Sequence, residues 1–396
     1  VRTLVIALAL LVGAAGGASA AVPSGLSDDP MDRGVLLALP SVYRVEVTIR
    51  VDALRLRDGT RVPMPAQGRR IPEVGTAVAV APDGWLVTAA HVAAPDPATV
   101  ARLAYQTRQA YRGQRHADGQ AARDWVARTG AVAVPGTVEE TVVTPARVDA
   151  DPMTARRYAG LETVPSATAD LALVRIRAPG APAVVLDEAR STGTPIATIG
   201  FSGGDRLAGD AADPGDPTVR RGVIRRTGTL APDTAMERSA IVISADVQSG
   251  DSGGPVVDAA GAVRGIVIQR GEAGGGIAET STEVRQLLEQ AGVTPGEGPA
   301  AEAFRGAMAA LWALDLDAAE AGFGRTLRAD PAHALAERER TRTRELATSA
   351  FTLRAEDRRE GILVAVAVLA IAAAAACALA LAWPSLTRSE DGGGGQ

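Results

Sequence analysis

From about residue 41 the chain alternates apolar and polar positions. In the run "VYRVEVTIRV" the β-branched residues Val45, Val47, Ile49 and Val51 stand at every second site, the period of a half-buried strand. "GTAVAVAPDGWLVTAA" reads as two β-runs joined by Pro82-Asp83-Gly84, a hairpin turn signal. More short runs follow: "ALVRI", "TPIATIGF", "RRGVIRRTGTL", "AIVISAD", "GPVVD", "AVRGIVIQ" and "GGIAE". Many short strands with Gly/Pro punctuation predict a mainly β chain, as a barrel or sandwich.

Helical spacing interrupts this pattern in three places. Residues 97–128 are rich in Ala, Arg and Gln, with Val100, Leu103, Ala104 and Tyr111 near helical register, which predicts a helical insertion. "TSTEVRQLLEQAG" predicts a closing helix: Ser281 or Thr282 caps it, Val284, Leu287 and Leu288 share one face, and Gly292 follows. Residues 299–350 are helical again. There Ala319, Phe323 and Pro331 stand at spacings resembling a tetratricopeptide hairpin, and a plain helical spacer fits as well. One repeat cannot bury its own face, so a partner docking at 299–350 is an expectation of the first reading. The Pro/Gly/Asp-bearing stretch 21–40 reads as a linker.

Both ends are apolar. Residues 1–20 set one Arg before an apolar run, with Ala18-Ser19-Ala20 fitting a small-residue cleavage site, the pattern of a secretory signal. Ile362 to Trp383 holds neither charge nor Pro. At ~1.5 Å per residue it spans roughly 33 Å, a bilayer core, and predicts a transmembrane helix with Trp383 at the interface and a short tail, 384–396. Export of the N-terminus puts residues 21–361 outside the cell membrane and the tail inside. Counting positive charges opposes this: Arg354, Arg358 and Arg359 flank the outer side and Arg388 the inner. One N-terminal export signal outweighs that difference.

Composition narrows the function classes. Across 396 residues the net charge is −5, so no nucleic-acid surface is indicated. One cysteine, Cys377, allows no intramolecular disulfide, and its place inside the apolar span argues against a catalytic role. The three histidines are far apart in sequence, and no Gly run is followed by Lys-Ser/Thr, so neither a metal nor a nucleotide cofactor is expected.

Chemistry gathers in "VQSGDSGGPVVD". A serine hydroxyl is a poor nucleophile until a base takes its proton, a third group orients that base, and donors meet the oxyanion. The run supplies the hydroxyl of Ser252 and a backbone that Gly250 frees to aim N–H groups. Gly253 and Gly254 leave room for a substrate carbonyl. Of the histidines, His116 lies in a polar insertion and His333 at a helix start. His91 alone ends a β-run among small residues. Asp170 is a lone acid directly before an apolar strand, where a charge is costly unless paired. Singly, His91 also fits a satisfied core histidine and Asp170 a turn cap.

"TAAH" at 88–91, "DLAL" at 170–173 and "GDSGGP" at 250–255 resemble the trypsin-like (chymotrypsin-fold) serine peptidases, in that family's chain order. The resemblance covers roughly 41–292 and is closest to the disulfide-free Deg/HtrA-like branch, without a PDZ-like module after it. It implies a double six-stranded β-barrel; the residue patterns add the helical insertion, and after the barrels the helical hairpin and one transmembrane helix. It also implies His91 as general base, Asp170 as its orienting acid, Ser252 as nucleophile, and the N–H groups of Gly250 and Ser252 as the oxyanion hole. Asp246 falls where trypsin carries its basic-residue-selecting Asp, and with Gln269 and Arg270 it is a candidate for the specificity pocket.

Two departures from the family carry expectations. His91 and Asp170 lie 79 residues apart, enlarged by an insertion placed to shade the cleft. Asp251 has no cleavable N-terminus nearby to pair with, so an internal Arg or a backbone N–H must satisfy it. The expected function is a membrane-anchored extracytoplasmic serine endopeptidase acting on proteins or peptides. A peptidase-fold adaptor module and an esterase using the same three groups are the alternatives.

Overall fold

The computed structural model describes residues 26–112, 119–146, 156–188, 191–202, 216–230, 238–271 and 274–349. The expected signal segment 1–20, His116, the apolar span 362–383 and the tail lie outside the described residues. Among the described residues, no helix is long and apolar enough to cross a membrane.

The stretch expected as a linker begins instead with a helix, α1 (Pro30–Ala38), which buries Met31, Val35 and Leu36. Asp29 accepts the Met31 N–H at 2.7 Å and Pro30 takes the first helical position. Asp and Pro at a helix start are the same letters that mark a loop, which is why the sequence reading missed it.

The first lobe comprises β1 (Val42–Arg55), β2 (Arg61–Pro63), β3 (Arg70–Ala81) and β4 (Trp85–Ala89). Next come α2 (Ala90–Ala93), α3 (Pro97–Ala110) and α4 (Gly119–Thr129). β5 (Val132–Pro145), β6 (Tyr158–Ala159), β7 (Glu162–Pro165) and β8 (Leu171–Arg175) complete it. The predicted alternation holds: Val45, Val47, Ile49 and Val51 of β1 are buried and the residues between them are not.

The eight strands form one sheet in the order β6-β5-β1-β3-β4-β8-β7, with β2 beside β1. A simple closed six-stranded barrel, as expected, is not what the strand assignment shows. The extra strands have a local cause. β6 and β7 are consecutive in the chain but lie at opposite edges of the sheet. Gly160 donates to the Thr141 carbonyl at 2.8 Å, and Leu161 to that of Arg175 at 2.8 Å. Adjacent residues thus bond to β5 and to β8, the strands next to the two edges, and the sheet curls shut at this bend. The insertion is helical as predicted. It buries Val100, Ala101 and Ala104 of α3, and a Tyr105–Trp125 stack at 4.3 Å ties α3 to α4.

The second lobe is the predicted closed barrel of six strands, in the order β10-β11-β14-β13-β12-β9. These are β9 (Pro195–Gly200), β10 (Thr218–Leu230), β11 (Arg238–Ile243), β12 (Pro255–Val257), β13 (Val263–Arg270) and β14 (Gly276–Thr280). Its core packs Ile196, Ile224, Ile241, Ile243, Val256 and Val267.

α5 (Ser281–Gln290) closes the lobe, burying Val284, Leu287 and Leu288 as expected, with Gly292 beyond it at φ +66°. Neither candidate hydroxyl caps it. Thr280 holds the cap position without a side-chain bond, and Ser281 donates to the Val263 carbonyl at 2.6 Å.

α6 (Gly298–Trp312) and α7 (Leu316–Ala329) form a helical hairpin. A Cβ on Gly322 would lie 2.7 Å from that of Ala307, so the glycine sets the close approach of the two helices. Phe304 and Phe323 fill the seam, and Arg305 donates to the Ala260 carbonyl at 2.9 Å, which ties the hairpin to the second lobe.

Candidate active site

β4 ends at Ala89, and the chain turns into the single helical turn of α2, which carries His91 to the surface of the first lobe. Asp170, directly before β8, grips this turn at three points. Its carbonyl accepts the Ala90 N–H at 3.2 Å, its Oδ1 accepts the His91 N–H at 2.9 Å, and its Oδ2 lies 2.7 Å from His91 Nδ1.

An ionised carboxylate can only accept, so Nδ1 carries the proton and Nε2 presents a lone pair. Burial pulls the imidazole pKa down. The Asp170 hydrogen bond and charge, helped by Glu73, more than offset it, with Arg102 in weak opposition, and the net pKa lies above the ordinary value. Arg102 sits on α3, so the insertion borders this site.

Ser252 lies in the loop before β12. Two glycines shape that loop. Gly250 has φ +92°, and a Cβ there would fall 2.1 Å from the Phe201 carbonyl oxygen. Gly253 has φ +88°, and its Cβ would fall 1.9 Å from the Thr76 carbonyl oxygen. Neither position admits a side chain.

Thr76, fully buried in β3, fastens the loop to the first lobe. Its N–H donates to the Ser252 carbonyl at 2.8 Å and its hydroxyl to the Gly250 carbonyl at 2.8 Å, while that hydroxyl accepts the Phe201 N–H at 3.1 Å. Thr88, three residues before His91, donates its hydroxyl to the Thr76 carbonyl at 2.6 Å. Gly75 stands between the two parts: a Cβ there would lie 2.8 Å from a Val92 methyl and 2.9 Å from the Ser252 carbonyl oxygen. The neighbour of His91 and the backbone of Ser252 therefore meet at one point. Among the described residues, neither the Gly250 nor the Ser252 N–H has a hydrogen-bond partner.

Asp251 points the other way, into the second lobe, and is 2% exposed. Both expected kinds of partner are present. Arg220 reaches it at 3.0 Å and the Gln248 N–H at 2.8 Å. Ser202, itself bonded by Arg220 at 2.6 Å, adds its hydroxyl at 2.8 Å. Burial dominates and lifts the Asp251 carboxyl above its usual range, against the pull of these partners.

Asp246 is exposed and accepts the Gln248 side-chain amide at 2.7 Å, and Gln269 and Arg270 are exposed at the end of β13. His333 lies far along the chain at the start of the helix 334–349, where its Nδ1 accepts the Ala336 N–H at 3.1 Å, in keeping with a helix-start role.

Sequence reasoning missed Thr76, Ser202 and Arg220. A lone Thr in "GTAVAV" was a visible signal for the first. Nothing in "TVRRGVIRR" separates Arg220 from its neighbouring arginines.

Residues 75–266 match the family model described as a trypsin-like peptidase domain. His91, Asp170 and Ser252 all lie within the matched residues. Among solved structures, the inactive form of the Rv3671c protease of M. tuberculosis is 21% identical with a TM-score of 0.40, covering 70% of this chain and 100% of that one. The HtrA-type protease AlgW with tripeptide is 22% identical with a TM-score of 0.42, covering 69% and 65%. A serine endoprotease from Yersinia pestis is 17% identical with a TM-score of 0.39, covering 67% of each chain. No curated protein matches the chain.

Proposed function

We propose that this trypsin-like peptidase domain is a working serine endopeptidase, with His91 as general base, Asp170 orienting it and Ser252 as nucleophile. The observation that carries the reading is the double grip of Asp170 on His91. It leaves Nε2 as the acceptor that a serine proton needs. The Ser252 loop, fastened to Thr76 beside Val92, supplies the second element.

In this reading Nε2 takes the Ser252 proton as Oγ attacks a peptide carbonyl, and the Gly250 and Ser252 N–H groups receive the oxyanion. Collapse of that intermediate passes the proton from His91 to the leaving amine. Water, deprotonated by His91, then hydrolyses the acyl-enzyme. Asp170 steadies the transient imidazolium.

A fluorophosphonate probe tests the reading. Labelling of the wild type, lost in Ser252→Ala, is expected. A folded wild type that resists labelling overturns it and leaves the adaptor alternative. A digest of a peptide library separates peptide from ester hydrolysis.

The apolar segments 1–20 and 362–383 support export and a single membrane anchor, with the catalytic domain outside. Protection of the domain from protease added to intact cells overturns that placement.

A further inference from the structure

Asp170 spends its carbonyl and both carboxylate oxygens on the turn that carries His91. The loop before it meets its own needs. Ser166 Oγ accepts the Thr168 N–H at 3.2 Å and the Ala169 N–H at 3.1 Å, and the Ser166 N–H donates to the Leu171 carbonyl at 2.8 Å. The Asp170 N–H is the next donor along the chain, and it goes to the other lobe. It donates to Glu279 Oε1 at 3.4 Å.

Glu279 stands on β14, where its backbone is held from both sides, opposite Ala240 of β11 and Ile266 of β13. The residue is 0% exposed. Burying a carboxyl group in a barrel is costly unless it meets polar partners. A strand residue fixed by two neighbours is also a rigid mount for a group that must hold another in place. Two residues on, Ser281 fastens the end of the strand by donating to the Val263 carbonyl at 2.6 Å.

This contact joins the two lobes at the acid. Thr76 reaches from the first lobe to the Ser252 loop of the second. Glu279 reaches the opposite way, from the second lobe to the acid of the first. Two crossing contacts thus set the His91–Asp170 pair against the serine loop. The bond to Glu279 is long in the free protein, as hydrogen bonds at reaction sites often are until substrate tightens them.

We propose that Glu279 is a positioning residue, an inference that rests on the peptidase reading of this site. It holds the Asp170 peptide from the second lobe and so fixes the carboxylate that orients His91. What the role needs is an oxygen at that reach rather than a charge.

The groups that face the imidazole are Asp170 before β8, Glu73 on β3 and Arg102 on α3, with Glu279 behind Asp170. Loosening Asp170 weakens its hold on Nδ1, so the imidazolium is stabilised less and His91 titrates lower.

The test uses the full chain with ¹⁵N-labelled histidine and two variants that separate reach from charge. Glu279→Gln keeps an oxygen at the same reach without the carboxylate. Glu279→Asp keeps the carboxylate and draws it back by one bond, about 1.5 Å. The His91 imidazole, assigned by its loss in His91→Gln, is titrated by NMR, and fluorophosphonate labelling gives the rate. Glu279→Gln is expected to titrate and label close to the wild type. Glu279→Asp is expected to titrate lower and to label about tenfold more slowly, or worse.

A Glu279→Asp protein that matches or exceeds Glu279→Gln in midpoint and rate overturns the proposal, because charge then matters more than reach. A lower melting temperature with an unmoved midpoint in Glu279→Asp marks a purely structural residue and overturns it too. If Glu279→Asp does not fold, Glu279→Gln decides: midpoint and rate near the wild type uphold the acceptor, and loss of both overturns it. A wild type that resists the probe overturns the peptidase reading instead, and the order of the His91 midpoints still decides the part played by Glu279.

Discussion

Arg220 on β10 reaches across the second lobe to Asp251, the residue before Ser252, at 3.0 Å. The contact joins a strand of the barrel to the loop that carries Ser252 and the Gly250 N–H. In trypsin-like zymogens a freshly cut N-terminus meets this acid, and here a cation that is part of the fold takes its place.

Arg220→Met strands a buried carboxylate, and breaking such a pair costs about 3 kcal/mol or more. The expected result is a lower melting temperature together with slower fluorophosphonate labelling. Arg220→Lys restores the charge on a shorter side chain, which must place its one nitrogen where Nη1 bonds both Asp251 and Ser202, so it recovers stability in part. Labelling at the wild-type rate in a folded Arg220→Met detaches this pair from the site.

In the proposed mechanism the raised pKa of His91 sets the pH profile. The base must be neutral, so labelling climbs with pH through a midpoint above the ordinary imidazole value of 6.5. The His91–Asp170 pair stabilises the fold fully below the unfolded value and loses that contribution as pH rises through the folded one. Activity and this share of stability therefore run in opposite directions over the same window. Asp170→Asn lowers the midpoint and slows the reaction by about 10⁴. A pH–rate series on both proteins checks each sign.

Thr76→Val keeps the shape of a buried side chain and removes a hydroxyl that bonds both Gly250 and Phe201. Leaving those groups unmet costs about 1–3 kcal/mol. Denaturant titration measures that loss. The labelling rate is expected to fall further than stability accounts for, because the Gly250 carbonyl belongs to the loop that aims the N–H groups.

Gly250→Ala places a methyl where the Phe201 carbonyl already stands, at a φ that L-residues avoid. The loop must move while the barrel stays. Near-native circular dichroism with labelling abolished is the expected pair of observations. Retained labelling argues that the Gly250 N–H has no part in the reaction.

How much of this was legible beforehand depended on range. The period-two runs and the Pro82-Asp83-Gly84 turn marked β3 and β4 because a strand's burial pattern is written in consecutive residues. α1 was misread because helix caps and loops use the same residue types. The bend at Gly160 was invisible, since its two bonds go to Thr141 and Arg175, and no local pattern records a closure. His91, Asp170 and Ser252 could be singled out from their motifs and chain order, yet only Gly75 and Thr76 bring the histidine's turn to the serine's loop.

The linear chain determined by itself what each short segment can do: which runs pleat, which coil, and where glycine grants the backbone a left-handed turn. Tertiary structure alone decided which of several arginines meets Asp251 and which threonine fastens the serine loop. It also decided that a histidine at a helix start ends buried with a donor to spare. Those outcomes depend on contacts between residues distant in sequence, and such contacts exist only once the barrels have closed.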